Sequence, residues 1–211
     1  VIATGGAGLD RFTDAAAEAL GAAQVATMLT TPIRKAFEAG VASIEAQPSA
    51  CRVAGVTANG MSNAALFVTD FEHFTRDPQL SQEVFGASAV VVACRSAQEI
   101  ARTLSSLEGQ LTVTFQCDPA DAEQSAAILA SAAERAGRII ANGWPTGVEV
   151  APAMVHGGPF PATSDSRTTS VGTLAMQRFL RPVCLQDIPE SLLPAPLRDD
   201  NPWGVPQRRG D

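Results

Sequence analysis

The sequence predicts an α/β fold: a parallel-rich sheet with helices on both faces, a long Gly/Pro loop, and a last strand near the C-terminus. Three observations predict it. β-like runs alternate with stretches of helical periodicity, which is the pattern of βαβ units. Helix caps and helix-ending glycines punctuate the alternation. The 211 residues are 45% hydrophobic and 18% charged, enough apolar surface to bury a sizeable core and too much for a disordered chain.

The elements follow in order. Val1-Ile2-Ala3-Thr4 reads as a strand, and residues 9–24 place Leu9, Phe12, Ala16, Leu20 and Ala23 on one helical face. A second helix starts at Pro32, well placed as a first helical residue, and runs to about Gln47. β-like runs at Arg52–Val56 and Ala64–Asp70 precede a helical turn at Phe71–Arg76 and the strand Ala89–Cys94. Ser96 and Glu99 have the spacing of a capping box, in which the hydroxyl accepts an orphan amide and Glu99 reaches back to the Ser96 amide. The helix behind them presents Ile100, Leu104 and Leu107 and stops at Gly109. Strand Leu111–Cys117 leads to Asp118-Pro119, a cap with proline in the first turn. The next helix spaces Ala122, Ala126, Leu129, Ala130 and Ala133 along one side and ends at Gly137, before a strand at Arg138–Ala141. Residues 142–173 hold five glycines and four prolines among Ser and Thr, and a loop of that length in a folded domain usually carries function. A helix at Val171–Leu180 and a strand at Pro182–Ile188 precede a proline-rich tail.

Several function classes are disfavoured by composition. Twenty-two acidic against 15 basic residues give a net charge of −7, opposite to the basic excess of a nucleic-acid binder. No apolar run approaches the ~18 residues of a membrane span, and no basic region precedes an apolar stretch as in a signal peptide. Four scattered cysteines (Cys51, Cys94, Cys117, Cys184) make no disulfide framework and, with only His73 and His156, no zinc spacing; a cytoplasmic location and no bound metal are expected.

The residues that invite chemistry also have plainer readings. Gly5-Gly6-Ala7-Gly8 lies between strand and helix but lacks dinucleotide or P-loop spacing, so it reads as a tight turn. His156, Ser164 and Asp165 follow no hydrolase order, and His156 reads as a hydrogen-bonding loop residue. Cys94 precedes a helix cap, where a thiol can be activated, yet a cysteine ending a Val-rich strand is usually buried and inert.

A resemblance carries the sequence further. Gln82-Glu83-Val84-Phe85-Gly86, ahead of a Val-rich strand, resembles the E-x-F-G-P signature of aldehyde dehydrogenases, with Ala87 where the proline usually stands. Asn142-Gly143-Trp144-Pro145-Thr146-Gly147-Val148-Glu149-Val150 and His156-Gly157-Gly158-Pro159-Phe160-Pro161-Ala162-Thr163-Ser164-Asp165-Ser166-Arg167 are similar to the subgroup acting on α-ketoglutaric semialdehyde or, with NADP, on fatty aldehydes. So are Phe179-Leu180-Arg181-Pro182-Val183-Cys184 and Leu192-Leu193-Pro194, and the likeness covers essentially the whole chain.

The resemblance implies an NAD- or NADP-dependent oxidation of an aldehyde to a carboxylate. It implies that Glu83 hydrogen-bonds the nicotinamide ribose hydroxyls and that Phe85 packs beside the same ribose. It assigns Trp144, Pro145, Val150, His156 and Phe160 to the aldehyde tunnel wall. Strand 181–188 is expected to pair across subunits of a homodimer or higher homo-oligomer, dividing the chain into a catalytic portion at 1–180 and an oligomerisation strand and tail at 181–211. The family's nucleophilic cysteine motif surrounds none of the four cysteines. The pattern places that cysteine, the general-base glutamate and most of the dinucleotide site ahead of Val1, so this chain is expected to hold no catalytic residue and to be inactive alone. A non-catalytic α/β binding or oligomerisation domain is the competing expectation.

Overall fold

A computed structural model describes residues 1–23, 27–55, 64–145 and 147–208; Gln24, Val56 and Thr146 of the expectations above lie outside them. Two compact units divide the chain, Val1–Ala175 and Met176–Asp211.

The first unit is built on a four-stranded sheet. Its strands are β1 (Ile2–Thr4), β2 (Cys51–Ala54), β3 (Ala65–Asp70) and β4 (Ser88–Cys94), in the order β1-β4-β3-β2. β4 runs parallel to both β1 and β3, while β2 joins antiparallel to β3 with an irregularity between Arg52 and Ala54. The β3–β4 register pairs Phe67 with Val90 and Thr69 with Val92.

Side-chain alternation along these strands feeds two cores. Phe67, Val92 and Cys94 pack with Phe37, Val41 and Ile44 of α2 (Thr31–Glu45), with Phe71 and Phe74 of α3 (Phe71–Arg76), and with Leu80 of α4 (Pro78–Ser81). On the opposite face Leu66 and Val91 pack against Leu9 of α1 (Ala7–Ala22), with Ala16, Ala17 and Leu20 beside them. Phe67 and Val91 are wholly inaccessible to solvent, which explains why β3 and β4 read as nearly continuous apolar runs. The expected inward stripe of α1 is displaced: Phe12 is exposed and Ala17 takes its place.

Strands β5 (Gln110–Phe115) and β6 (Ala136–Ala141) form a separate parallel pair instead of extending the sheet. Between β4 and β5 runs α5 (Ala97–Ser106), and between β5 and β6 a short 3₁₀ turn (Pro119–Asp121) enters α6 (Ala122–Arg135). Helix α5 sends Leu104 inward, with Ile100 and Leu107 packed on the larger core as expected.

Helix α6 turns the other way from its expected face. Ala122, Ala126, Leu129, Ala130 and Ala133 are exposed, and the inward side carries Ile128 and the fully buried Ala132. An alanine-rich helix has little amphipathic contrast, so docking through its smallest residue decides the face rather than the periodicity. Strand β6 also begins two residues earlier than expected and takes in Gly137, which was read as the helix stop.

The caps differ as well. Ser96 Oγ accepts from the Glu99 amide at 3.3 Å, but the Glu99 carboxylate accepts from the amide of Arg95, at 2.8 Å, not from that of Ser96. The reciprocal box occurs instead at Asp118 and Asp121, around Pro119.

The second unit differs most from expectation. The stretch read as a helix at Val171–Leu180 contains a 3₁₀ segment, Thr173–Phe179, and Pro182–Ile188 forms no strand within the chain. A β-ladder needs an adjacent strand to exchange hydrogen bonds with, and residues 182–188 have none along them among the described residues. Short 3₁₀ turns at Glu190–Leu192 and Ala195–Leu197 are tied locally, with the Asp199 amide donating to Glu190 Oε1 at 2.7 Å.

Candidate functional site

The Gln82–Gly86 segment leaves α4 and enters β4, so it sits at the edge of the larger core. Asp77 caps α4 by accepting from the Gln79 amide at 2.9 Å, and the chain then becomes extended at Gln82. Along this stretch Gln82, Glu83, Phe85 and Gly86 are exposed, and Val84 alone turns inward, half-buried against the core.

Glu83 and Phe85 line an open cleft of about 570 Å³, floored by Ile44, Val84, Ala89 and Val90. Phe85 is 71% exposed, and the Glu83 carboxylate carries no hydrogen bond or ion pair among the described residues. An apolar plate and an unengaged bidentate acceptor on one wall suit a ligand with a flat face and vicinal hydroxyl donors.

The turn beyond them is held firmly although Ala87 replaces the usual proline. The Ser88 amide donates to Gly86 O at 2.9 Å, Ser88 Oγ donates to Val84 O at 3.2 Å, and Ala87 O accepts from the Ala65 amide at 2.8 Å. Ser88 was not singled out in the sequence; its place two residues after the Phe-Gly pair is the signal that could have found it.

Four of the five residues assigned to an aldehyde wall separate into two groups. Trp144 and Pro145 follow the far end of β6. There Asn142 pairs with Cys117 through both its amide atoms, at 2.8 and 3.0 Å, and Gly143 O accepts from Thr114 Oγ1 at 2.5 Å. Phe160 and His156 belong to a stretch that crosses the opposite end of the same pair, where the Gly109 amide donates to Phe160 O at 3.2 Å. The strands between span five residue steps, roughly 17 Å.

That crossing depends on glycine. A Cβ on Gly137 would stand 2.5 Å from Gly157 O, and one on Gly158, whose φ is +146°, would strike the carbonyl oxygen of Gln110. Three chain segments therefore meet backbone to backbone. His156 is half-buried; its amide donates to Thr169 Oγ1 at 2.8 Å, while its Nδ1 is buried without a partner among the described residues. Trp144, Val150 and Phe160 are exposed by 70%, 76% and 81%.

The other candidates have structural places. Gly6 has φ +132° at the entry to α1, and the Gly5 amide donates to Cys94 O, which makes Gly5–Gly8 the tight turn of the plainer reading. Cys94 is buried, with Sγ 3.8 Å from Thr103 Oγ1, and burial raises its thiol pKa, the opposite of activation. Glu99 is held below the usual carboxylate range by the Arg95 guanidinium first and then by the Arg95 amide. Asp70 is lowered chiefly by the His73 amide it caps. Among the described residues no group of three or more His, Cys, Asp or Glu could hold a metal ion, and no helix is long and apolar enough to cross a membrane.

No family model matches the chain. It is 44% identical over 212 residues to the alpha-ketoglutaric semialdehyde dehydrogenase 2 of Azospirillum brasilense, an alignment covering 99% of this chain and 40% of that protein. It is 42% identical over 200 residues to the alpha-ketoglutaric semialdehyde dehydrogenase of Acinetobacter baylyi, covering 93% of this chain and 38% of the relative. The chain thus spans about two-fifths of the length of the curated relatives it matches. Its fold is similar to a Staphylococcus aureus betaine aldehyde dehydrogenase solved with NAD+, with a TM-score of 0.65 over 85% of this chain and 39% of that one at 13% identity.

Proposed function

We propose that the chain, which belongs to the aldehyde dehydrogenase superfamily, is part of the catalytic unit of an enzyme that oxidises α-ketoglutaric semialdehyde to 2-oxoglutarate. The observation that carries this reading is the 44% identity maintained over 99% of the chain. The cleft at Glu83 and Phe85 adds a physical reason, because its two exposed residues fit the nicotinamide ribose.

In this reading a bound NAD or NADP supplies the hydride acceptor. Glu83 accepts hydrogen bonds from the two ribose hydroxyls, and Phe85 offers its exposed face beside the ribose. Holding the ribose at two points limits rotation of the nicotinamide and keeps the reacting atoms near bonding distance. Trp144, Pro145, Val150, His156 and Phe160 provide wall for the aldehyde passage, the first two and the last two in the separate groups described above. Nucleophile and general base are assigned to no residue of this chain: Cys94 is buried with a raised pKa, and none of the four cysteines stands in the family's nucleophile motif. They are proposed to lie in the remainder of a longer protein. Subunit pairing through residues 181–188 belongs to the same proposal.

Full-length enzyme tested on α-ketoglutaric semialdehyde and on a long-chain aldehyde, with NAD and NADP, examines the substrate assignment. A kcat/KM that favours the semialdehyde is expected; preference for the long-chain aldehyde overturns it. The 211-residue chain alone should bind NAD(P) weakly and turn over no aldehyde, and measurable NADP reduction by it would contradict this division of labour.

A further inference from the structure

We infer that Gly40, in the middle of α2, is a positioning residue for the dinucleotide: it forms the notch that seats Val84 and so fixes Glu83 and Phe85 at the cleft. The inference rests on the cofactor role proposed above for those two residues.

Glycine inside a helix is unfavourable relative to alanine, so an interior glycine calls for a packing reason. Gly40 has one. A Cβ built there would stand 2.9 Å from both γ-carbons of Val84, closer than real side chains approach. Gly21 of α1 makes the contrast, since a Cβ there would meet nothing within 4 Å.

Val84 thus acts as a peg. Its side chain reaches α2 and joins the core that contains Phe37, Val41 and Ile44. Glu83 and Phe85, the chain neighbours of this inward residue, are both exposed. The depth of the peg therefore sets the height of both at the cleft. Gly86 secures the next position: with φ +153° it lies over Phe37, whose Cε2 would be 2.8 Å from an added Cβ. Ser88 closes the turn through its bonds to Gly86 O and Val84 O. α2 also reaches the cleft through Ile44, so recovery in the variant that relieves the Gly40–Val84 collision is what assigns the effect to Val84.

The test measures dinucleotide Kd, dinucleotide KM and aldehyde KM in the full-length dehydrogenase, with amide exchange at residues 82–86. Gly40→Ala should weaken dinucleotide binding by roughly tenfold, the scale of sub-ångström misplacement, while aldehyde KM stays put. Gly40→Ala combined with Val84→Ala removes the collision and should recover most of the affinity. Gly21→Ala should leave binding unchanged. Val84→Ala alone, a truncation that introduces no collision, should speed exchange at residues 82–86 and weaken binding; no change in either overturns the inference even if Gly40→Ala fails to fold. Loss in Gly40→Ala without recovery in the double variant would place the effect in the helix and also overturn it. If Glu83→Gln and Phe85→Ala leave dinucleotide Kd unaltered, the cofactor reading beneath it is the part that fails. If those two weaken binding and Gly40→Ala does not, the notch is the part that fails.

Discussion

The two sheets of the first unit solve the same problem differently. The four-stranded sheet is covered on both faces and holds Phe67, Val91 and Val92 at 0–1% exposure. The β5–β6 pair is half-buried along its length, with Leu111 39% exposed. Two strands alone are marginal in water. This pair is secured at its ends, by Asn142 and Cys117 at one and by the glycine crossing of residues 157–160 at the other. One sheet gains its stability from area removed from water, the other from backbone fitted to backbone.

Substitutions that separate these two modes sharpen the comparison. The largest effect belongs to the apolar sheet: Phe67→Ala should cost about 3–5 kcal/mol, read from urea unfolding. A cost under about 1 kcal/mol would mean that the sheet tolerates the cavity and is not the stability centre. Next comes the crossing. Gly158→Ala places a Cβ at positive φ against Gln110 O and should cost about 1–3 kcal/mol, with faster amide exchange concentrated in β5 and β6. Exchange that rises equally in β3 and β4 would contradict a locally held pair.

A smaller effect is conditional on pH. Because the folded state lowers the Glu99 pKa below its ordinary 4.5, this carboxylate contributes stability above that value and loses it as pH falls through the depressed one. Glu99→Gln should flatten the decline in stability below pH 4.5, measured by denaturant unfolding at stepped pH; an unchanged slope removes Glu99 as a contributor. Smallest is Leu111→Ala on β5, expected to cost about 1 kcal/mol or less because the side chain is already partly wet. A loss as large as that of Phe67→Ala would erase the distinction between the sheets.

Much of this was legible in the residues. Strong periodicity and caps located α2, α5 and the Val-rich β4 to within a residue or two, since local hydrogen bonding and burial pattern agree there. The face of α6 was not legible, because alanine on every side leaves the choice to packing. Neither was the glycine crossing: Gly109, Gly137 and Gly158 are far apart in sequence and acquire a shared role only when folded. At the candidate site the Glu83-Val84-Phe85 motif was visible, whereas its support from Gly40 and Ser88 was not.

The sequence by itself determined the α/β alternation, which resides in spacing, and carried the family likeness that singled out Glu83 and Phe85. Only the tertiary structure decided that β5 and β6 stand apart from the larger sheet and that four of the proposed wall residues fall at opposite ends of that pair. Tertiary packing also brought Val84, between Glu83 and Phe85, against the missing Cβ of Gly40 on another helix. Such features depend on atoms brought within a few ångströms from distant parts of the chain, and no local pattern records them.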